Sequence, residues 1–292
     1  MFKGTFTALV TPFRGDDLDI AALEKLLEGQ FSAGVTGVVA IGTTGESPTL
    51  SHDERETIIR KCVELSKGHC SVLAGTGSYS TRDAIEATKR AEQLGVDGAL
   101  VVSPYYNKPS QEGLFRHFKA IADSTSLAIM LYNIPGRCGV DINADTVVRL
   151  AEACRNIVSI KEASGSVERV SELRGRLPDS FTILSGDDSL TLPFLAVGAS
   201  GVVSVASNLI PAEICALVAA FQRGDAAAAE KMHRRLFPLM KDLFVEPNPV
   251  PVKTALEWKG LMSSACRLPL SEMSEGNRTR LRQTLANLEK SR

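Results

Sequence analysis

The chain has 292 residues, with 33 Lys+Arg against 34 Asp+Glu and four His, for a formal net charge of −1. That balance excludes a nucleic-acid binder working by bulk positive charge, and a composition 44% hydrophobic and 23% charged excludes disorder and supplies a large core. The length alone allows two domains of about 150 residues, yet α/β barrels run to about 250 residues as one domain, so internal organisation must decide.

Met1 to Pro12 has no basic leader followed by a long apolar stretch, so it does not read as a signal peptide. Short β-branched runs then alternate with amphipathic stretches along the chain. The predicted order is strand Phe6–Val10, helix Ile20–Phe31, strand Gly37–Ile41, helix Asp53–Leu65, strand Ser71–Ala74 and helix Arg82–Leu94. Strand Ala99–Ser103, helix Gln111–Ala122, strand Leu127–Tyr132, helix Ala144–Cys154 and strand Ile157–Lys161 follow. The series closes with helix Val167–Leu177, strand Phe181–Leu184, helix Leu190–Val197 and strand Gly201–Val205. Ser51 with Glu54 three residues on is a capping box, and Gly34, Gly68 and Gly95 stand where helices should end.

Eight βα units at roughly 25–28 residues each reach about residue 224, the arithmetic of a (β/α)8 TIM barrel. A doubly wound sheet would want Gly-x-Gly-x-x-Gly after an early strand, and Gly75-Thr-Gly77-Ser-Tyr-Ser80 carries only the first two glycines. Ser189 to Ala212 is uncharged and about long enough to span a bilayer, but Pro193, Gly198, Gly201, Asn208 and Pro211 break it into helix, turn and strand. A cytoplasmic location is therefore expected. Residues 225–292 form a C-terminal helical region, with helices near Ala226–Phe244, Val252–Met262 and Met273–Glu289 and a rigid break at Pro247, Pro249 and Pro251. Such an appendage suits oligomer contacts, and Arg278, Arg280 and Arg282 read as the solvated face of the last helix. The six cysteines and four histidines are scattered, with no metal-ligand spacing, and no motif calls for a cofactor.

In a barrel the chemistry sits at the C-terminal ends of the strands. Those ends read Gly42-Thr-Thr-Gly-Glu-Ser47, Ser103-Pro-Tyr-Tyr-Asn107, Tyr132-Asn-Ile-Pro-Gly-Arg137, Ile160-Lys-Glu162 and Ser185-Gly-Asp-Asp188. A lysine inside the apolar run Ile157-Val-Ser-Ile160 is costly to bury while charged. Strand parity groups Ser159, Lys161 and Ala163 on one face. If that face is the lumen, burial lowers the Lys161 pKa and makes a Schiff-base nucleophile; otherwise the lysine snorkels or pairs with a carboxylate. Tyr132 is either core with its hydroxyl tied off or a proton shuttle beside that lysine. Gly42-Thr-Thr-Gly45 offers N–H groups and hydroxyls for a small carboxylate, though strand geometry continued to residue 44 would let only one threonine face the lumen. Arg137 either clamps a second carboxylate or caps its own loop.

These segments, with Lys108-Pro109, Ala163-Ser-Gly165, Leu184-Ser-Gly-Asp-Asp188 and Phe244-Val-Glu-Pro-Asn-Pro249, resemble the dihydrodipicolinate synthase family of pyruvate-dependent class I aldolases and lyases along the whole chain. The resemblance implies condensation of pyruvate with aspartate semialdehyde through a Schiff base on Lys161, with Tyr132 as general acid/base and Thr43 and Tyr106 as a proton relay. By the same resemblance Tyr106 reaches in from a neighbouring subunit of a homotetramer built from tight dimers. The backbone at Thr43 and Thr44 corresponds to the pyruvate-carboxylate site, Arg137 to the semialdehyde clamp, and Gly186 and Val203 to further lining. A lysine feedback site would involve Ser47, His52, Arg55, Tyr79, Asp83 and Tyr105. Arg55, Tyr79 and Asp83 stand where lysine-sensitive members tend to carry histidine, asparagine and glutamate, so weak or absent inhibition is expected. Cys138, where threonine is usual, implies only a packing change. An aldolase acting on a 2-keto-3-deoxy sugar acid and a non-catalytic barrel binding pyruvate-like ligands are the alternatives.

Overall fold

The computed structural model describes residues 2–291. In chain order it holds β1 (Gly4–Ala8), a hairpin of β2 (Phe13–Arg14) and β3 (Asp17–Leu18), α1 (Ile20–Ser32), β4 (Gly37–Ala40) and α2 (His52–Ser66). Next come β5 (Ser71–Gly75), α3 (Thr81–Gln93), β6 (Gly98–Val102), α4 (Gln111–Ala122), β7 (Ala128–Asn133), the single turn α5 (Pro135–Cys138) and α6 (Ala144–Ala153). The chain continues through β8 (Ile157–Glu162), α7 (Val167–Arg176), β9 (Thr182–Ser185), α8 (Thr191–Ala196), β10 (Gly201–Ser204) and α9 (Pro211–Gln222). Three further helices, α10 (Ala226–Asp242), α11 (Val250–Trp258) and α12 (Glu275–Lys290), complete it. All strands but the hairpin pair in parallel and close into a barrel in the order β1, β10, β9, β8, β7, β6, β5, β4. This is the expected TIM barrel with C-terminal helices.

Both faces of the strands are apolar because both are covered. Val38, Ala40, Val72, Ala74, Ala99, Val101 and Ile160 pack under the helices, whereas Phe6, Val39, Leu73, Leu100, Met130 and Leu184 belong to a second core that fills the lumen. Phe2 and Phe6 close its N-terminal end, ring edge to ring face at 5.7 Å. Gly37 and Gly98 make the room: a Cβ at Gly37 would lie 2.3 Å from the Phe6 ring and one at Gly98 2.6 Å from Phe2. With one end plugged by aromatics, polar side chains are left to the other.

The capping box forms as expected, with Glu54 N donating to Ser51 Oγ at 3.2 Å and Ser51 N to Glu54 Oε2 at 2.8 Å. Other details differ. β1 begins two residues before the predicted run, and the β2–β3 hairpin is too short to leave a periodic signal. The proline-rich break also does not extend through Pro251, which lies in the first turn of α11, where a missing N–H costs nothing. Arg280 and Arg282 are more than half exposed, as a solvated face requires, whereas Arg278 is largely covered, and all three also make contacts. Arg278 and Arg282 lie over the Trp258 ring at 5.4 and 4.6 Å, and Arg280 pairs with the buried Asp242 at 2.6 Å, so α12 is pinned to α11 and α10. Among the described residues no helix is long and apolar enough to cross a membrane.

Candidate functional site

Register places Tyr132, Lys161 and Leu184 side by side on β7, β8 and β9, which fixes Lys161 on the lumen face, the first of the two alternatives that strand parity left open. Lys161 is 5% exposed, with Nζ 4.2 Å from the centre of the Tyr132 ring. Burial pushes its pKa down to about 7; Asp188 pulls upward against this and the Arg137 charge adds to it. Burial likewise raises the Tyr132 phenol above its ordinary value, opposed by Arg137 and by the Thr43 side chain. The phenol therefore stays protonated beside an amine poised to lose its proton. Arg137 is exposed on α5, and its guanidinium makes no hydrogen bond or ion pair among the described residues.

Space beside the amine depends on one glycine. A Cβ at Gly186 would sit 2.8 Å from Ala163 Cβ and 3.0 Å from Lys161 Cε. Val203, buried on β10 in register with Phe6, belongs to the lumen core below. On the outer side of β8, the fully buried Glu162 accepts from Arg169 Nε at 2.7 Å, Asn133 Nδ2 at 3.1 Å and Ser164 N at 2.8 Å. These bonds tie the ends of β7 and β8 to α7 and hold the lysine and tyrosine in place.

The segment Gly42–Ser47 departs from the parity expectation. Ile41 and Glu46 have φ of 50° and 54°, so β4 ends at Ala40 and the chain turns sharply. As a result both threonines are usable: Thr43 approaches Tyr132, while the Thr44 hydroxyl accepts from Asn248 Nδ2 at 2.9 Å. Among the described residues the N–H groups of Thr43 and Thr44 donate to no group, so the turn carries two unspent backbone donors of the kind that make an anion nest. The turn is held by Thr11 Oγ1 donating to Gly45 O at 2.7 Å, and by Lys253 Nζ and Arg267 N donating to the two Glu46 carboxylate oxygens at 2.6 and 3.0 Å. Asp188 and Asn248 lay in segments singled out from the sequence but were given no role, and Lys253, whose only signal was a lysine in an otherwise apolar stretch, was missed.

Tyr106 is 93% exposed at φ 70° and does not reach the Lys161 pocket of its own chain. Ser47, His52, Arg55, Tyr79, Asp83 and Tyr105 are brought together, but elsewhere: all line a cavity of about 670 Å³ reaching between α2 and α3. There Arg55 donates to the carbonyls of Ser47 and Leu50 at 2.8 and 3.2 Å, and Tyr79 meets Tyr105 edge to face at 5.3 Å. Among the described residues no group of three or more His, Cys, Asp or Glu is arranged to hold a metal.

Residues 1–288 match the model of the dihydrodipicolinate synthetase family. The chain belongs to that family. It is 52% identical over 285 residues to the 4-hydroxy-tetrahydrodipicolinate synthase of Endomicrobium trichonymphae, covering 98% of each chain. Among solved structures it is similar to the 4-hydroxy-tetrahydrodipicolinate synthase of the thermoacidophilic methanotroph Methylacidiphilum fumariolicum SolV, with TM-score 0.98 and 56% identity over 99% of this chain and 97% of that one. The dihydrodipicolinate synthase of Acinetobacter baumannii, chloride-inhibited and complexed with pyruvate, superimposes with TM-score 0.96 at 42% identity over 99% of each chain. At the C-terminal end of the barrel the Lys161 amine thus stands beside the Tyr132 phenol, and the turn after β4 carries unengaged N–H groups.

Proposed function

We propose that this chain condenses pyruvate with L-aspartate 4-semialdehyde to give 4-hydroxy-tetrahydrodipicolinate, a step of lysine and diaminopimelate biosynthesis. The observation that carries the reading is the buried Lys161 amine, pushed down to about 7 and packed on Tyr132. The pyruvate complex of the similar Acinetobacter baumannii enzyme supports pyruvate as the donor.

In this reading neutral Lys161 attacks the pyruvate carbonyl, and Tyr132 supplies the proton with which the carbinol oxygen leaves as water. Loss of a methyl proton converts the imine to an enamine, whose carbon attacks the semialdehyde aldehyde. The semialdehyde amine then adds to the imine carbon, closing the ring and freeing Lys161. Thr43 relays protons to Tyr132, and Tyr106 completes the relay from a neighbouring copy, which its exposure favours. The nest at Thr43 and Thr44 holds the pyruvate carboxylate, the unpaired Arg137 holds that of the semialdehyde, and Gly186 and Val203 shape the pocket. The assembly is a homotetramer, a dimer of dimers, in the cytoplasm.

Borohydride reduction with pyruvate, followed by peptide mass spectrometry, tests the reading. One reduced pyruvate adduct on Lys161, absent from Lys161→Ala, is the expected result; no adduct sinks it.

A further inference from the structure

We infer that Asn248, which touches no reacting atom, is a positioning residue that turns the Thr44 hydroxyl into an obligate hydrogen-bond donor toward the pyruvate carboxylate. The inference rests on the carboxylate reading of the nest at Thr43 and Thr44.

A threonine hydroxyl has one proton and two lone pairs, and left alone it rotates to suit whatever approaches. At Thr44 it is not left alone. Asn248 Nδ2 donates to Thr44 Oγ1 at 2.9 Å with both side chains buried, so one lone pair is occupied and the O–H bond must point away from the amide. Thr44 Oγ1 in turn donates to no group among the described residues. This leaves a buried donor with its proton unspent, next to two backbone N–H groups that are also free. All three are donors, and the ligand that satisfies them is an anion.

The orientation of the amide follows from the same accounting. Asn248 Oδ1 is buried without a partner. Turning the amide over would give Thr44 an acceptor and pair the carbonyl, but would leave both N–H bonds of Nδ2 unpaired where now one N–H is paired. Buried donors left unpaired are the rarer and costlier case. Asn248 is also held from a distance. It precedes α11, whose Lys253 grips Glu46 two residues beyond Thr44, so amide and hydroxyl are fixed on one clamp.

The test is steady-state kinetics on the full chain with both substrates, in a cycle of Asn248→Ala, Asn248→Asp and Thr44→Val. Freed to rotate, the hydroxyl of Asn248→Ala binds the carboxylate less well, and the KM for pyruvate rises about five- to tenfold, a part of the worth of one hydrogen bond to a charged group, with kcat and the semialdehyde KM within about twofold. Asn248→Asp, nearly isosteric, raises the pyruvate KM further, because a carboxylate captures the Thr44 proton and repels the substrate; it carries the test if Asn248→Ala does not fold. In a Thr44→Val background the alanine effect vanishes and the aspartate effect shrinks. Additive effects in the double variants, or equal rises in both KM values, overturn the role of Asn248. A pyruvate KM unchanged in Thr44→Val instead overturns the carboxylate assignment itself, so the two failures are distinct.

Discussion

An amine attacks a carbonyl only when neutral, and exclusion of water favours that form at Lys161, the nucleophile of the proposed reaction, with one opposing carboxylate, Asp188, and one reinforcing cation, Arg137. The sign of the pH dependence follows. Below about 7 the amine carries a proton and attack slows about tenfold per unit; above it the rate of borohydride-trapped adduct formation levels off. A profile still climbing towards pH 10 would show that burial does not set the amine's proton affinity. The same shift acts on stability. Between about 7 and the ordinary 10.5 the unfolded chain holds a proton that the folded chain does not, so this group makes stability rise with pH across that window. Steric control at this scale belongs to Gly186. Its replacement by alanine places a methyl 3.0 Å from Lys161 Cε and 2.8 Å from Ala163 Cβ, and displacement of the amine by a fraction of an ångström lowers kcat about a hundredfold, read against an unchanged far-ultraviolet circular dichroism spectrum.

Among the elements, the eight barrel strands were legible because parallel strands buried on both faces must be runs such as Val38-Val39 or Leu100-Val101-Val102, and the helices between them show one apolar stripe each. α9 was not separately legible, since Ile214, Leu217, Val218 and Ala220 leave little polar contrast between its faces. Lys161 and Tyr132 could be placed on the rim because they close their strands, but the turn after β4 could not, because it is shaped by partners about 200 residues away. Those partners make a prediction for the element they hold. Lys253 and Glu46 form a pair with side chains 0% and 1% exposed, so Lys253→Met leaves a buried carboxylate uncompensated and costs about 3–5 kcal/mol in chemical denaturation. Adding Glu46→Gln to that variant restores much of the loss; if it does not, packing rather than charge is what the lysine supplies.

At the scale of the whole molecule two regions with different chemistry share one framework. The barrel mouth is built around an amine and free N–H donors, whereas the cavity reaching between α2 and α3 is lined by Arg55, Arg90, Glu56, Asp83 and Glu86 together with Tyr79 and Tyr105. A guanidinium at Arg55 repels the ammonium groups of lysine, and Tyr79 fills space. Titration with L-lysine should therefore leave activity nearly unchanged through the millimolar range; strong inhibition at sub-millimolar concentration would contradict this.

The clamp between the C-terminal region and the turn after β4 also bears on the order in which the molecule is made. Lys253 and Arg267 reach Glu46 across 207 and 221 residues of chain. A polypeptide emerging from the ribosome can thus close all eight strands while the strained turn at Ile41 and Glu46 still lacks the groups that fasten it. Competence to bind the donor substrate arrives last, with the final fifth of translation, and a truncation that removes only helices remote from the amine would yield a barrel unable to use it.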